Sequence, residues 1–196
     1  MGVMELELKG VVPDPAATRG KLLSSGLIKG ARGMLRDRRY DRQGEFTARD
    51  EVVRVRAFTR ENGTTQFTVG WKGPTQRSPE GLKQREEREF DVDAGDPSSF
   101  LSALGFEANH SIDRYVEYYY LKDLKGSARL EWYPRMDVLV EVEGTPDQIE
   151  TVIAAMGLPR DSFTAEALTA FTARYDAAHP HAPSLVALDG WEGPAR

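Results

Sequence analysis

The chain has no cysteine among its 196 residues. That absence removes disulfides, thiolate catalysis and Cys-ligated zinc together. Histidine is nearly as scarce: His110, His179 and His181 are the three present, and the last two flank Pro180 near the C-terminus. A His-based triad or a His-rich zinc site is therefore not expected, and any metal would be a hard cation held by carboxylates. No apolar run reaches the roughly 18 residues of a membrane span, so no membrane partner is expected. No G-x-x-x-x-G-K-[ST] loop occurs, which excludes a P-loop mechanism. The segment Met1-Gly2-Val3-Met4-Glu5 turns charged at once and lacks the apolar stretch of a signal peptide, so a cytoplasmic protein is expected. The net charge is −5, the wrong sign for a surface-wide nucleic-acid footprint, and no nucleic-acid partner is expected.

What is present suits one soluble globular domain: 40% of residues are apolar and 29% charged, near ordinary usage, in a chain long enough to bury a core. Three helix starts share one signature, an N-cap residue followed by proline: Asp14-Pro15, Asp96-Pro97 and Thr145-Pro146. Each segment stops near a glycine, at Gly26, Gly105 and Gly157. Gln148 stands three residues after Thr145 and completes a capping box. Leu168, Phe171 and Tyr175 recur at helical spacing and predict a fourth helix over 164–178. Residues 179–196, punctuated by Pro and Gly, read as a loosely held tail behind a domain spanning 3–178.

The patterning predicts strands over 3–11, 45–59, 64–72, 84–92, 113–122, 126–132 and 137–144. Glu61-Asn62-Gly63 and Lys125-Gly126 read as hairpin turns, and 73–83 as a long polar loop. Arg32, Arg36, Arg38, Arg39 and Arg42 form a basic cluster, read as a solvated segment or a positive mouth. Seven or eight short strands with few long helices predict a mainly β, α+β architecture built on an antiparallel sheet or barrel.

Alternate strand residues share a face. Glu5, Glu7 and Lys9 therefore lie together, with Leu6 and Leu8 opposite. The same alternation places Arg54 with Arg56, Arg85 with Glu87 and Glu89, Arg129 with Glu131, and Glu141 with Glu143. Lys72 ends the strand Phe67-Thr68-Val69-Gly70-Trp71. One such strand is an ordinary half-buried stave with a solvated face. Repetition with both signs suggests a sheet wrapped around a charged interior. Enclosing so many charges is costly unless the interior is wet or holds a charged ligand. Lys and Arg match phosphate oxygens, and clustered Glu then needs a divalent cation to bridge to them.

The order of these elements resembles the CYTH superfamily, the triphosphate tunnel metalloenzymes. The E-x-E-x-K signature stands at Glu5, Glu7 and Lys9, followed by R-x-R at Arg54 and Arg56 and by Lys72 at a strand end. R-x-E-x-E stands at Arg85, Glu87 and Glu89, a basic strand at Arg114 with Tyr118, an acidic position at Glu131, and the closing E-x-E at Glu141 and Glu143. The resemblance covers residues 3–176 and implies an eight-stranded antiparallel β-barrel forming a tunnel. It implies that Lys9, Arg54, Arg56, Lys72, Arg85 and Arg114 hold a small-molecule triphosphate. It also implies that Glu5, Glu7, Glu131, Glu141 and Glu143 hold Mg²⁺ or Mn²⁺, with Glu87 a weaker candidate. Three activities stay open: a metal-dependent triphosphatase, a class IV adenylate cyclase releasing pyrophosphate, and a non-catalytic polyphosphate- or nucleotide-binding module. No side chain announces itself as a catalytic base, and a monomer and a homodimer are both compatible with the sequence.

Overall fold

A computed structural model describes residues 2–194. Along the chain come β1 (Val3–Val11), α1 (Pro15–Ser24), β2 (Ile28–Asp41), α2 (Glu45–Ala48), β3 (Val52–Arg60), β4 (Thr65–Lys72), β5 (Gln76–Arg77), β6 (Lys83–Val92), α3 (Pro97–Ala103), β7 (Glu107–Tyr120), β8 (Ser127–Trp132), β9 (Leu139–Glu143), α4 (Pro146–Met156), β10 (Phe163–Thr164) and α5 (Leu168–Ala178). Eight antiparallel strands pair in the order β1-β9-β8-β7-β2-β3-β4-β6, and β6 pairs back onto β1 to close a barrel. Closure leaves these eight without a free edge. The two-residue strands β10 and β5 are additions on β1 and β6.

The expected helix starts hold. Asp14 accepts from Ala17 N–H at 2.9 Å and Asp96 from Ser98 N–H at 2.9 Å. Thr145 and Gln148 cap each other reciprocally. Gly157 ends α4 at φ +60, a left-handed conformation in which a side chain is strained.

Three expectations for secondary structure change. The arginine-rich stretch, read as a solvated segment or a positive mouth, is the 14-residue strand β2, paired with both β3 and β7. Its outward arginines hid the alternation: Arg38 pairs with Asp113 at 2.7 Å, and Arg36 with Glu192 at 2.9 Å. Residues 45–48 form helix rather than strand because Asp41 accepts the N–H groups of Phe46 and Thr47, both at 3.0 Å, a local cap that outcompetes a ladder. Finally, α5 begins at Leu168, because Phe163 and Thr164 are used to pair with Gly10 and Lys9 of β1.

The main apolar core lies outside the barrel wall. Leu8, Ala128, Leu130, Val140 and Val142 face Ile149, Val152, Ile153 and Met156 of α4, all nearly inaccessible. Each such large side chain contributes about 1.5–3 kcal/mol by its burial. Putting the apolar faces outward under helices frees the inner faces for charge. A second cluster, Tyr40, Val53, Val55 and Leu101, sits with Phe46 and Phe106 on the outer face of β2 and β3. A third closes one end of the barrel: Phe171 and Leu168 of α5 pack with Ile112, Tyr133 and Leu139. The stretch after α5, read from sequence as a loose tail, is tied down. Leu185 bridges to Arg135, Val186 accepts from Asp113 N–H at 2.7 Å, and Leu188 N–H donates to the Asp113 carboxylate at 3.0 Å. Among the described residues, no helix is long and apolar enough to cross a membrane.

Candidate functional site

The barrel encloses a cavity of about 500 Å³. Ten of the eleven expected residues line it: Glu5, Glu7 and Lys9 from β1, Arg54 and Arg56 from β3, Lys72 from β4, Arg85 from β6, Arg114 from β7, and Glu141 and Glu143 from β9. Closure makes β1 the seam of the arrangement, since Glu7 lies opposite Glu143 on one side and Lys83 on the other. On β6, Arg85, Glu87 and Glu89 face inward. Arg88 lies outside, ion-paired to Glu86 at 2.8 Å and stacked over Trp71.

Glu131, the eleventh, stands behind the lining and is fully buried. Its carboxylate accepts from Arg129 Nε at 2.9 Å, Tyr133 Oη at 2.7 Å and Lys9 Nζ at 3.4 Å, and lies 3.2 Å from Arg114 Nε. Burial alone would raise its pKa. Arg114, Lys9 and Arg129 outweigh burial and bring it down to about 2. Its oxygens are already committed to protein cations. Glu141 is similar: it pairs with Lys9 and with Arg129, which overcome burial and hold it well below the usual carboxylate range.

Several lining residues carry no counterpart among the expected site residues. Asp37 is the most consequential. Arg56 grips it with Nε at 2.8 Å and Nη2 at 3.0 Å, Arg114 reaches it at 3.2 Å, and Arg54 at 3.5 Å. Burial opposes ionisation of this carboxyl, yet the three guanidinium groups keep it charged, far below its ordinary pKa. One buried carboxylate thus aims three arginines along one wall. Arg39, Lys83, Glu89 and Arg129 also line the cavity. The signal for Arg129 was present in its alternation with Glu131. That for Asp37 and Arg39 was masked by the outward arginines of the same strand.

Nine cationic and eight carboxylate side chains line this space, Asp50 and Glu87 among the latter. With acids nearly as numerous as cations, a polyanion entering alone would meet repulsion as well as attraction. The carboxylates are not evenly spread. Glu5, Glu7 and Glu143 each place an oxygen within 4.8 Å of the other two. Burial pushes the Glu143 carboxyl well above its ordinary range, against the pull of Arg129, and the charges of Glu141 and Glu5 add to the rise. An all-oxygen group of this kind fits a hard divalent cation. Each member is held by one protein cation: Glu5 by Lys72 at 2.7 Å, Glu7 by Lys83, and Glu143 by Arg129 at 3.3 Å.

At one side of the cavity Tyr118 stacks parallel to Tyr120, ring centres 6.0 Å apart, with Phe58 edge-on at 6.1 Å. Gly30 permits this, since a Cβ there would meet the Tyr120 ring at 2.3 Å.

No family model matches the sequence, and no curated protein matches it either. The fold, by contrast, is shared widely with solved structures. A protein of Pyrococcus horikoshii superposes with a TM-score of 0.68 at 22% identity, over 84% of this chain and 96% of its own. A candidate adenylate cyclase of Vibrio parahaemolyticus gives 0.67 at 15% identity, over 88% of this chain and 99% of that one. A candidate adenylyl cyclase of Hippeastrum, described as having a dominant triphosphatase activity, gives 0.60 at 17% identity, over 89% and 96%. The chain therefore has the closed eight-stranded barrel of these proteins over nearly their whole length.

Proposed function

We propose that this chain is a triphosphate tunnel enzyme that uses Mg²⁺ or Mn²⁺ to hydrolyse the terminal phosphoryl group of a triphosphate-containing substrate. One observation carries the reading: a closed barrel sets a wall of arginines, aimed by Asp37, beside a group of three carboxylates, Glu5, Glu7 and Glu143. The CYTH-like order of motifs and the triphosphatase activity described for the Hippeastrum neighbour agree with it.

In this reading Glu5, Glu7 and Glu143 would hold the divalent cation, which, when bound, neutralises phosphate charge and acts as a Lewis acid on a phosphoryl oxygen. Arg54, Arg56 and Arg114 bind the phosphate chain. Their guanidinium forks are already oriented by Asp37, so little ordering remains to be done on binding. Lys9 and Arg129, held by Glu131 and Glu141, contribute fixed positive charge where charge builds up on the transferring group. Phosphoryl transfer needs mainly positioning and charge stabilisation, which agrees with a cavity rich in cations and lacking histidine.

Adenylate cyclase is the second reading, favoured by the Tyr118–Tyr120 platform, on which a base could stack, and by the description of the Vibrio neighbour. Purified protein with Mg²⁺ or Mn²⁺ should release orthophosphate from tripolyphosphate, thiamine triphosphate or ATP. Cyclic AMP with pyrophosphate from ATP would instead establish the cyclase, and binding without turnover a non-catalytic module. Glu7→Gln and Glu143→Gln should each lower turnover on the order of 100-fold or more while the circular dichroism spectrum is unchanged. Activity surviving in both variants would remove these carboxylates from the metal site.

A further inference from the structure

Among the described residues, every cation lining the cavity is engaged by the protein except one. Even Arg85, whose ion-pair partner Asp50 lies as far as 3.9 Å away, donates to the backbone oxygens of Gly73 and Asp50. The Arg39 side chain makes no hydrogen bond or ion pair among the described residues, although Asp37, two residues before it on the same face, is an acid. Asp37 is not free to serve it, because Arg54, Arg56 and Arg114 already share that carboxylate.

The position of Arg39 is as unusual as its lack of a partner. In the β2–β3 ladder it lies opposite Arg54, and in the β2–β7 ladder opposite His110. Its side chain lines the main cavity and also a second one of about 210 Å³, the two sharing Arg39, Asp50 and Val52. The carboxylates of that second space are occupied elsewhere. Asp50 accepts from Thr75 N–H at 2.7 Å, and Glu51 is held by Arg49 and by the Trp71 indole N–H. A half-buried guanidinium next to other guanidinium groups, with no counter-ion, costs stability unless something negative arrives. Burial and the charges of Arg54, Arg114 and Arg85 depress its pKa in agreement with this, against the pull of Asp37.

We propose that Arg39 is an anion-binding residue of the cavity, holding the end of the substrate's phosphate chain that points into the second cavity. The proposal rests on the triphosphate reading above and adds a contact and a direction to it. The chain would run along the Asp37-aimed arginines and finish at the doorway marked by Arg39, where a planar fork can take two phosphate oxygens.

The test measures two quantities on Arg39→Gln: binding of inorganic tripolyphosphate by calorimetry, with chelator present to remove metal, and melting temperature without ligand. The proposal requires binding weakened about tenfold or more, with a melting temperature equal to or above that of the wild type, since removing an unpaired charge from among like charges relieves repulsion. Arg39→Lys should recover part of the affinity, a point charge replacing the fork. Undiminished binding by Arg39→Gln would overturn the proposal alone. So would a melting temperature several degrees lower, because the guanidinium would then be holding the fold. A wild-type protein that fails to bind tripolyphosphate at all, with or without Mg²⁺, would sink the triphosphate reading and this proposal together.

Discussion

A carboxyl crowded by two others must choose between losing its charge and finding a cation. Glu87 stands in that position, with Lys72 and Arg54 both 3.1 Å away but Glu5 and Glu89 close by. Burial, then Glu5 and Glu89, outweigh Lys72 and Arg54 and raise it to about 7. The folded protein therefore keeps this proton at pH values where the unfolded chain has released it. Between pH 4.5 and about 7 the native state binds more protons, so this group's contribution to stability falls as pH rises. Glu87→Gln removes the penalty: its melting temperature should match the wild type near pH 5 and exceed it increasingly toward pH 8. A tenfold change in proton affinity is worth about 1.4 kcal/mol, and solvent screens part of it at a carboxyl that is not fully buried. The gain above neutrality is then on the order of 2 kcal/mol. A difference between the two proteins that stays constant from pH 5 to pH 8 would refute the raised carboxyl. The same scale shows what the sequence could reveal of the site. Glu5, Glu7, Lys9, Arg54 and Arg56 were legible because their neighbours in the chain are apolar and the period is clean. Asp37 was not, because its neighbours Arg36 and Arg38 are charged on the opposite face and satisfied by residues 75 or more positions away.

At the scale of elements, legibility followed the range of the interactions. α1, α3 and α4 begin at side chains that cap their own next turn, a signal contained within four residues. β2 depends on β3, β7 and the segment after α5, and no local pattern announces those partners. That segment is itself a structural strap. Asp113, almost fully buried, uses its backbone N–H for Val186 and its carboxylate for Arg38 and Leu188 N–H. Val186 packs against the cluster of Ile112, Tyr133, Leu139 and Phe171 that closes one end of the barrel. Removing residues 182–196 leaves Asp113 half-satisfied and uncovers that cluster. Lost burial and unpaired polar groups together should cost about 2–4 kcal/mol, read as a lower urea midpoint. An unchanged midpoint would make the strap an ornament of the surface. Because Ile112 and Tyr133 also line the cavity, the loss should also weaken tripolyphosphate binding.

For the molecule as a whole, the decisive property is how the cavity's charges are divided among one another. In this fold, Glu5 and Glu7 pair with Lys72 and Lys83, and Glu143, its carboxyl raised by burial, lies against Arg129. A divalent cation taken up by these carboxylates would compete with those pairs and loosen the hold on Lys83, on Lys72, which keeps Glu87, and on Arg129, which keeps Glu131 and Glu141. A triphosphate would do the reverse, drawing the cations away and leaving the carboxylates crowded. Each ligand thus prepares the site for the other, and the two should bind with positive coupling of about 1–3 kcal/mol, roughly 5- to 150-fold in affinity. The direct measurement is melting temperature with saturating Mg²⁺, with tripolyphosphate in chelator, and with both. A ligand at 100 times its dissociation constant stabilises by about 2.7 kcal/mol, or roughly 5–10 °C in a domain of this length. The combined shift should exceed the sum of the separate ones. In Glu143→Gln the excess should vanish while the shift from tripolyphosphate alone remains or grows, since Arg129 is then already free of one partner. Simple additivity in the wild type would mean that cation and phosphate chain do not share this lattice of pairs. An excess that persists in Glu143→Gln would place the cation at carboxylates other than this one.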